Sequence, residues 1–207
     1  MRKGLFITLE GSDGSGKSTQ AKLMESFLRE KGHQIVITRE PGGTGISEKI
    51  RALLLDKKHV EMNGRTEALL YAAARAQHVE EIIKPALERG DVVICDRFVD
   101  SSIAYQGYGR NLGEQIEIIN KFAVSGCMPD ITFLFKIEPE TGRARIKTKD
   151  RDRLEKEHTE FYSEVYKGYT ELEERYPERI VGIDATGSIE EIHNEIIKRL
   201  NEFDNDI

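Results

Sequence analysis

Gly11-Ser12-Asp13-Gly14-Ser15-Gly16-Lys17-Ser18 fits the pattern G-x-x-x-x-G-K-[ST], a loop built to hold phosphate. Its glycines let successive backbone N–H groups turn inward, and a helix starting at the end of the loop adds the positive end of its dipole. In such a loop Lys17 reaches the β- and γ-phosphates of a nucleotide and Ser18 ligates Mg²⁺, with Thr19 closing the nucleotide-binding stretch. A chance match in a Gly/Ser-rich turn is the competing reading. It is disfavoured by the apolar run before the loop and the helical pattern after it. A second pair, Asp96-Arg97, closes the apolar run Val92–Cys95. An acid there can organise the Mg²⁺ shell, and a guanidinium can meet phosphate oxygens bidentately. An exposed ion pair just past a strand is the bland alternative. An N-K-x-D guanine motif is missing: Asn120-Lys121-Phe122-Ala123 lacks the aspartate and falls inside a helical pattern, which argues against a GTP switch.

The elements that must position these groups alternate short apolar runs with longer segments of helical period, the signature of a parallel sheet covered on both faces. Strands are predicted at Gly4–Leu9, Gln34–Thr38, Val92–Cys95, Ile131–Lys136 and Arg179–Ile183. With the phosphate loop, this is an α/β fold of P-loop NTPase type: a central five-stranded parallel sheet flanked by helices. The first helix carries Ala21, Met24, Phe27 and Leu28 on one stripe and ends at Gly32, a left-handed cap position. The last opens with Ser188-Ile189-Glu190-Glu191, a capping box ahead of Ile189, Ile192, Ile196 and Leu200, and the tail from Asn201 is expected to fray. A helix over Glu67–Arg89 puts Tyr71 and Arg75 one turn apart on a face that His78 continues. A ring and a guanidinium side by side suit a nucleobase, one stacking and the other donating to a carbonyl edge; core packing with a solvated arginine is the alternative.

The chain has 207 residues, with 31 Lys plus Arg against 37 Asp plus Glu and a net charge of −6. The length suits one domain spanning 1–207, and the charge disfavours wrapping a nucleic-acid backbone. Two cysteines, Cys95 and Cys127, are too far apart for a CxxC motif and read as buried thiols of a reducing compartment. No run approaches a membrane span, so a cytoplasmic protein with no membrane partner is expected. The unusual stretch is Arg143–Arg153, where six cations alternate with other residues. A solvated charge run is the plain reading, but a mobile segment bringing cations to a phosphate site is the one with a purpose.

Together Phe6-Ile7-Thr8-Leu9-Glu10-Gly11, Thr38-Arg39-Glu40-Pro41-Gly42-Gly43-Thr44, Asp96-Arg97-Phe98-Val99-Asp100-Ser101-Ser102-Ile103-Ala104-Tyr105-Gln106-Gly107 and Arg153-Leu154-Glu155 resemble the bacterial thymidylate kinases over essentially the whole chain. The resemblance implies transfer of the γ-phosphoryl group of Mg·ATP to dTMP, and a homodimer. It implies that Glu40, Pro41, Arg51, Tyr71, Arg75, Arg97, Ser102, Tyr105 and Gln106 surround dTMP. Tyr71 stands where the family commonly has phenylalanine. In the same comparison Tyr105 lies under the deoxyribose and excludes a 2′-hydroxyl, Asp13 meets the 3′-hydroxyl, and Arg145 packs on adenine beside the loop Asp184–Gly187. Gly14 stands where some relatives carry a catalytic arginine. The missing cation is then supplied by a short mobile lid, about 143–154, through Arg151 or Lys149: Lys149 aligns better and Arg151 has the better chemistry. The alternatives are another nucleoside monophosphate or deoxynucleoside kinase, and a P-loop module that binds nucleotide without transfer.

Overall fold

Apolar runs bounded by glycines and polar turns become strands because both faces of each can be buried. In the computed structural model, which describes residues 4–145 and 153–204, they form one parallel sheet. Its strands are β1 (Leu5–Gly11), β2 (Ile35–Arg39), β3 (Val92–Asp96), β4 (Ile131–Lys136) and β5 (Ile180–Asp184), in the order β2-β3-β1-β4-β5. Four lie within one residue of their predicted bounds, while β1 runs on to Gly11 through its pairing with Phe135. Successive side chains serve two cores. Phe6, Val93, Cys95 and Leu134 face one, and Ile7, Leu9, Ile94, Phe133 and Phe135 face the other.

The second core is covered by α1 (Lys17–Glu30) and α9 (Ile189–Asp204), which pack on each other. In α1, Ala21, Met24 and Leu28 are buried, and Gly32 takes the left-handed φ of 93° just past its end. The capping box of α9 forms in both directions: Ser188 N–H donates to Glu191 Oε2 at 2.8 Å, and Glu191 N–H donates to Ser188 Oγ at 3.2 Å. Two expectations change here. Ile189 is 59% exposed, because the first helical position lies before the buried stripe turns inward. The helix also continues past Asn201 to Asp204, where burial of Leu200 and packing of Phe203 hold the last turn.

The other face carries α2 (Gly45–Leu55), α3 (Gly64–His78), α4 (Lys84–Arg89), α5 (Val99–Ser102), α6 (Gln115–Val124) and α8 (Thr159–Arg175); α7 (Pro139–Arg145) follows β4. The single helix predicted over Glu67–Arg89 is α3 and α4 joined by a π-helical turn at Val79–Ile83. Pro85 has no N–H for the carbonyl one α-turn back, so the ladder widens just before it. The start moves back to Gly64 because the Asn63 side chain caps Thr66 N–H at 3.0 Å. A second π-helical segment, Ile103–Gly109, extends α5. Among the described residues no helix is long and apolar enough to cross a membrane.

Candidate active site

Three strands deliver their chemistry to one edge of the sheet, the carboxyl end where doubly wound folds bind ligands. β1 runs into the phosphate loop, β3 ends in Asp96-Arg97, and β2 leads into Glu40-Pro41. They line a cleft of about 510 Å³, ample for nucleotides. Gly11 turns at φ 129°, and a Cβ there would lie 2.5 Å from the Phe135 carbonyl oxygen, so the strand-to-loop bend admits only glycine. Gly16 then caps α1 with φ 98°. Gly14, Lys17, Ser18 and Thr19 all face the cleft.

Lys17 Nζ donates to the carbonyls of Gly11 at 3.0 Å and Ser12 at 2.9 Å, folding over its own loop. Burial, and then the charge of Arg97, bring its pKa down to about 8, against the pull of Asp96, Asp13 and Glu10. Lys17 thus remains mostly an ammonium near neutral pH but sheds its proton readily above it, and phosphate charge beside it would hold that proton. Ser18 Oγ donates to Asp96 Oδ2 at 3.2 Å, while Asp96 Oδ1 is buried without a hydrogen bond. A hydroxyl beside an uncommitted carboxylate oxygen is a donor set suited to a hard cation such as Mg²⁺.

Arg97 adopts φ 69°, a left-handed conformation that costs a side-chain-bearing residue about 1–2 kcal/mol. The turn is held on both sides. Arg97 N–H donates to the Leu9 carbonyl at 2.9 Å, and Phe98 N–H donates to Glu10 Oε1 at 2.7 Å. Glu10 Oε2 in turn accepts from Ser101 Oγ at 2.6 Å and Tyr169 OH at 3.0 Å. Burial and the nearby Asp100 push the Glu10 carboxyl up, opposed by these hydrogen bonds and by Arg97. The result aims the Arg97 guanidinium across the cleft to Asp13, at 2.7 Å, and over the Tyr105 ring at 5.0 Å. Burial works to raise the Asp13 carboxyl, but Arg97 and Lys17 outweigh it and hold the group below its usual range. Glu10 carried no role in the sequence reading, and its only signal was an acid inside an otherwise apolar run.

Tyr71, Arg75, Ser102, Tyr105 and Gln106, the residues expected around the acceptor, line the same cleft. Arg75, however, is no free reader. It is 1% exposed, with Nε on Glu40 Oε2 at 2.7 Å, Nη1 on Ser102 Oγ at 3.0 Å and on Asn120 Oδ1, and Nη2 on the Phe98 carbonyl at 2.8 Å. Of its five N–H groups one remains for a ligand. His78 continues the face but turns inward, sharing its two ring nitrogens between Glu40 Oε1 at 2.9 Å and Thr38 Oγ1 at 2.7 Å. Asn120, noticed in the sequence as part of a failed guanine motif, is thus a buried support for Arg75. Arg51 Nη1 reaches the Pro41 carbonyl at 2.8 Å, which brings its guanidinium to the same cleft. The Tyr105 hydroxyl is buried without a hydrogen bond, and burial raises its pKa steeply.

The basic stretch divides. Arg143 lies 4.7 Å over the Tyr162 ring, and Arg145 donates to the Ala185 carbonyl at 2.9 Å, beside the loop expected near adenine. Arg153 is buried, with Nε on the Leu54 carbonyl at 2.8 Å and Nη2 on Glu67 Oε2 at 2.7 Å, so it holds structure and does not face phosphate. Lys149 and Arg151 lie outside the described residues.

The family model for thymidylate kinase matches residues 9–196. The chain belongs to the thymidylate kinase family. It is 53% identical over 196 residues to a thymidylate kinase of an Exiguobacterium species, covering 94% of this chain and 92% of that one. With the thymidylate kinase of Halalkalibacterium halodurans it shares 48% identity over 206 residues, 98% of each chain. The crystal structure of thymidylate kinase from Ehrlichia chaffeensis superposes with a TM-score of 0.79 at 35% identity, covering 95% of this chain and 98% of that one. The chain is accordingly an enzyme of the nucleoside monophosphate kinase class, and the central parallel sheet read from its sequence is the family's fold.

Proposed function

We propose that this enzyme transfers the γ-phosphoryl group of Mg·ATP to dTMP, giving dTDP and ADP, within one kinase domain whose lid spans about 143–154. The observation that carries the reading is the convergence, in one cleft, of a phosphate loop with Lys17, the side chains of Tyr71, Ser102 and Gln106, and Arg97. In this reading the acceptor's own phosphate oxygen is the nucleophile, already anionic near neutral pH, so no general base is required. Lys17 and Arg97 meet charge that grows on the transferred group, and Arg51 holds the acceptor phosphate. Asp13 is placed for the 3′-hydroxyl while steering Arg97. Glu40 holds Arg75 by the short ion pair described above, so the arginine's remaining N–H faces the base. Ser18 and Asp96 would hold Mg²⁺, which when bound would neutralise phosphate charge. The further cation is assigned to Arg151 in preference to Lys149, because a planar guanidinium spans two phosphoryl oxygens.

A homodimer is supported by apolar residues exposed on three adjoining helices: Leu53 on α2 (41%), Leu69 on α3 (57%), and Ile118 (61%) and Phe122 (88%) one turn apart on α6. A second copy of the same face is the simplest cover for such a patch. Two buried free thiols fit a cytoplasmic location. The reading is tested by ADP release with dTMP, dUMP, dCMP, dAMP and thymidine as acceptors. Highest kcat/KM for dTMP is expected, and a preference for thymidine or for a purine nucleotide would refute it.

A further inference from the structure

Glu67 is an acid with no exposed surface, placed on α3 below the acceptor pocket, and none of the motifs claims it. Its carboxylate is fully occupied. Oε1 accepts from Gln106 Nε2 at 2.9 Å and Arg110 Nε at 3.2 Å; Oε2 accepts from Arg110 Nη2 at 3.0 Å and Arg153 Nη2 at 2.7 Å. Two guanidiniums have nothing to accept with, so three side chains from two segments, Gln106 and Arg110 at the end of one π-helical stretch and Arg153 far along the chain, converge on one acceptor-only group.

The consequence falls on Gln106. A glutamine amide has two faces of opposite polarity, and a free one turns either toward a ligand. Next to a carboxylate only one orientation is allowed, because the carbonyl oxygen would otherwise oppose Glu67 Oε1 acceptor to acceptor. We propose that Glu67 is a specificity-determining positioning residue: by taking the Gln106 N–H it fixes the amide so that the carbonyl oxygen is left for the cleft, and the acceptor base must then offer a donor at the edge Gln106 meets. The N3–H of a 4-oxo pyrimidine, thymine or uracil, satisfies that demand. The bare N3 of cytosine does not, and meets an acceptor with an acceptor. Burial tends to raise the Glu67 carboxyl, but the hydrogen bonds and charge of Arg110, with Gln106 and Arg153, hold it below its usual range. It therefore stays ionised, and acceptor-only, throughout the neutral range. Arg110 and Arg153 are tied in turn to Glu157 at 2.7 Å and to the Leu54 carbonyl at 2.8 Å, which keeps the carboxylate from rotating away.

This inference rests on the reading that Gln106 faces the acceptor base. Its test compares kcat/KM for dTMP, dUMP and dCMP in the wild type and in Glu67→Gln. The new amide can donate as well as accept, so Gln106 is released to turn either face to the cleft. The preference for dTMP over dCMP should fall by about tenfold or more, the scale of one correctly placed buried hydrogen bond. The dTMP to dUMP ratio should hold, since both bases carry N3–H, and KM for ATP should not move. A uniform loss on all three acceptors, with the dTMP to dCMP ratio unchanged, makes Glu67 merely structural and overturns the proposal. A wild type that phosphorylates none of the three overturns the functional reading instead. Loss of one partner from a buried ion cluster can prevent folding, so neutron diffraction of the deuterated wild-type enzyme with dTMP provides the second measurement. Amide deuterons of Gln106 on the Glu67 side are expected, and the carbonyl on that side overturns the inference.

Discussion

Truncation of Glu10 should uncouple the Arg97 turn from the sheet. Glu10 Oε1 accepts the Phe98 and Ser101 N–H groups at 2.7 and 3.3 Å, and Oε2 accepts two hydroxyls. In Glu10→Ala those hydroxyls keep each other, since Ser101 Oγ and Tyr169 OH are already 2.8 Å apart. The two backbone N–H groups lose their partner, at about 1–3 kcal/mol each when buried. Release of Arg97 from its left-handed φ of 69° returns about 1–2 kcal/mol. Taking the middle of each range, the net loss is about 2.5 kcal/mol, or roughly 5–10 °C in Tm for a chain of this size. The folded fraction should turn over at least about tenfold more slowly, because a guanidinium aimed at developing charge is no longer held in place. Differential scanning calorimetry and kcat at saturating substrates read both effects. Glu10→Gln, which keeps an oxygen for the two N–H groups, should retain most of both. An unchanged Tm and kcat in Glu10→Ala would refute the claim that this acid holds the turn.

Three other outcomes follow from the same geometry. With the Lys17 pKa brought down to about 8, phosphate binding should raise it, so ATP binding at about pH 8.5 takes up as much as about three-quarters of a proton; calorimetry in buffers of different ionisation heat should show uptake in the wild type and none in Lys17→Met. Arg75→Ala should raise KM for dTMP far more than KM for ATP and also lower Tm, since Glu40 and Asn120 lose a buried partner; an equal rise in both KM values would place Arg75 outside the acceptor side. Tyr105→Ala should narrow the preference of the enzyme for dTMP over its ribo counterpart while Tyr105→Phe preserves it, and an unchanged ratio in the alanine variant would remove the steric account of sugar selection.

The strands and the phosphate loop were legible because their signals are local: an apolar run, a glycine spacing, a lysine at a fixed offset. Helix ends were legible where a side chain caps its own helix, as Ser188 and Glu191 do, and less so at Val79–Ile83, where one proline widens a ladder that periodicity alone reads as continuous. Lys17, Ser18, Asp96 and Arg97, which line the cleft, were legible through their motifs. Glu10, Glu67 and Asn120 were not, because each works through partners far along the chain: Tyr169 for Glu10, Arg153 for Glu67 and Arg75 for Asn120. Only the folded arrangement tells a buried acid with three donors from a misplaced surface one. For the same reason the spacing of Arg75 from Tyr71 shows the shared face and hides the Glu40 carboxylate that holds it there.

The central claim is that the phosphate loop and the acceptor pocket serve one transfer, and phosphorus NMR of a reaction mixture tests it most directly. Wild-type enzyme with Mg·ATP and dTMP should convert the dTMP resonance into the paired α and β resonances of dTDP, in step with formation of ADP. Release of inorganic phosphate from ATP with the dTMP resonance unchanged would contradict it.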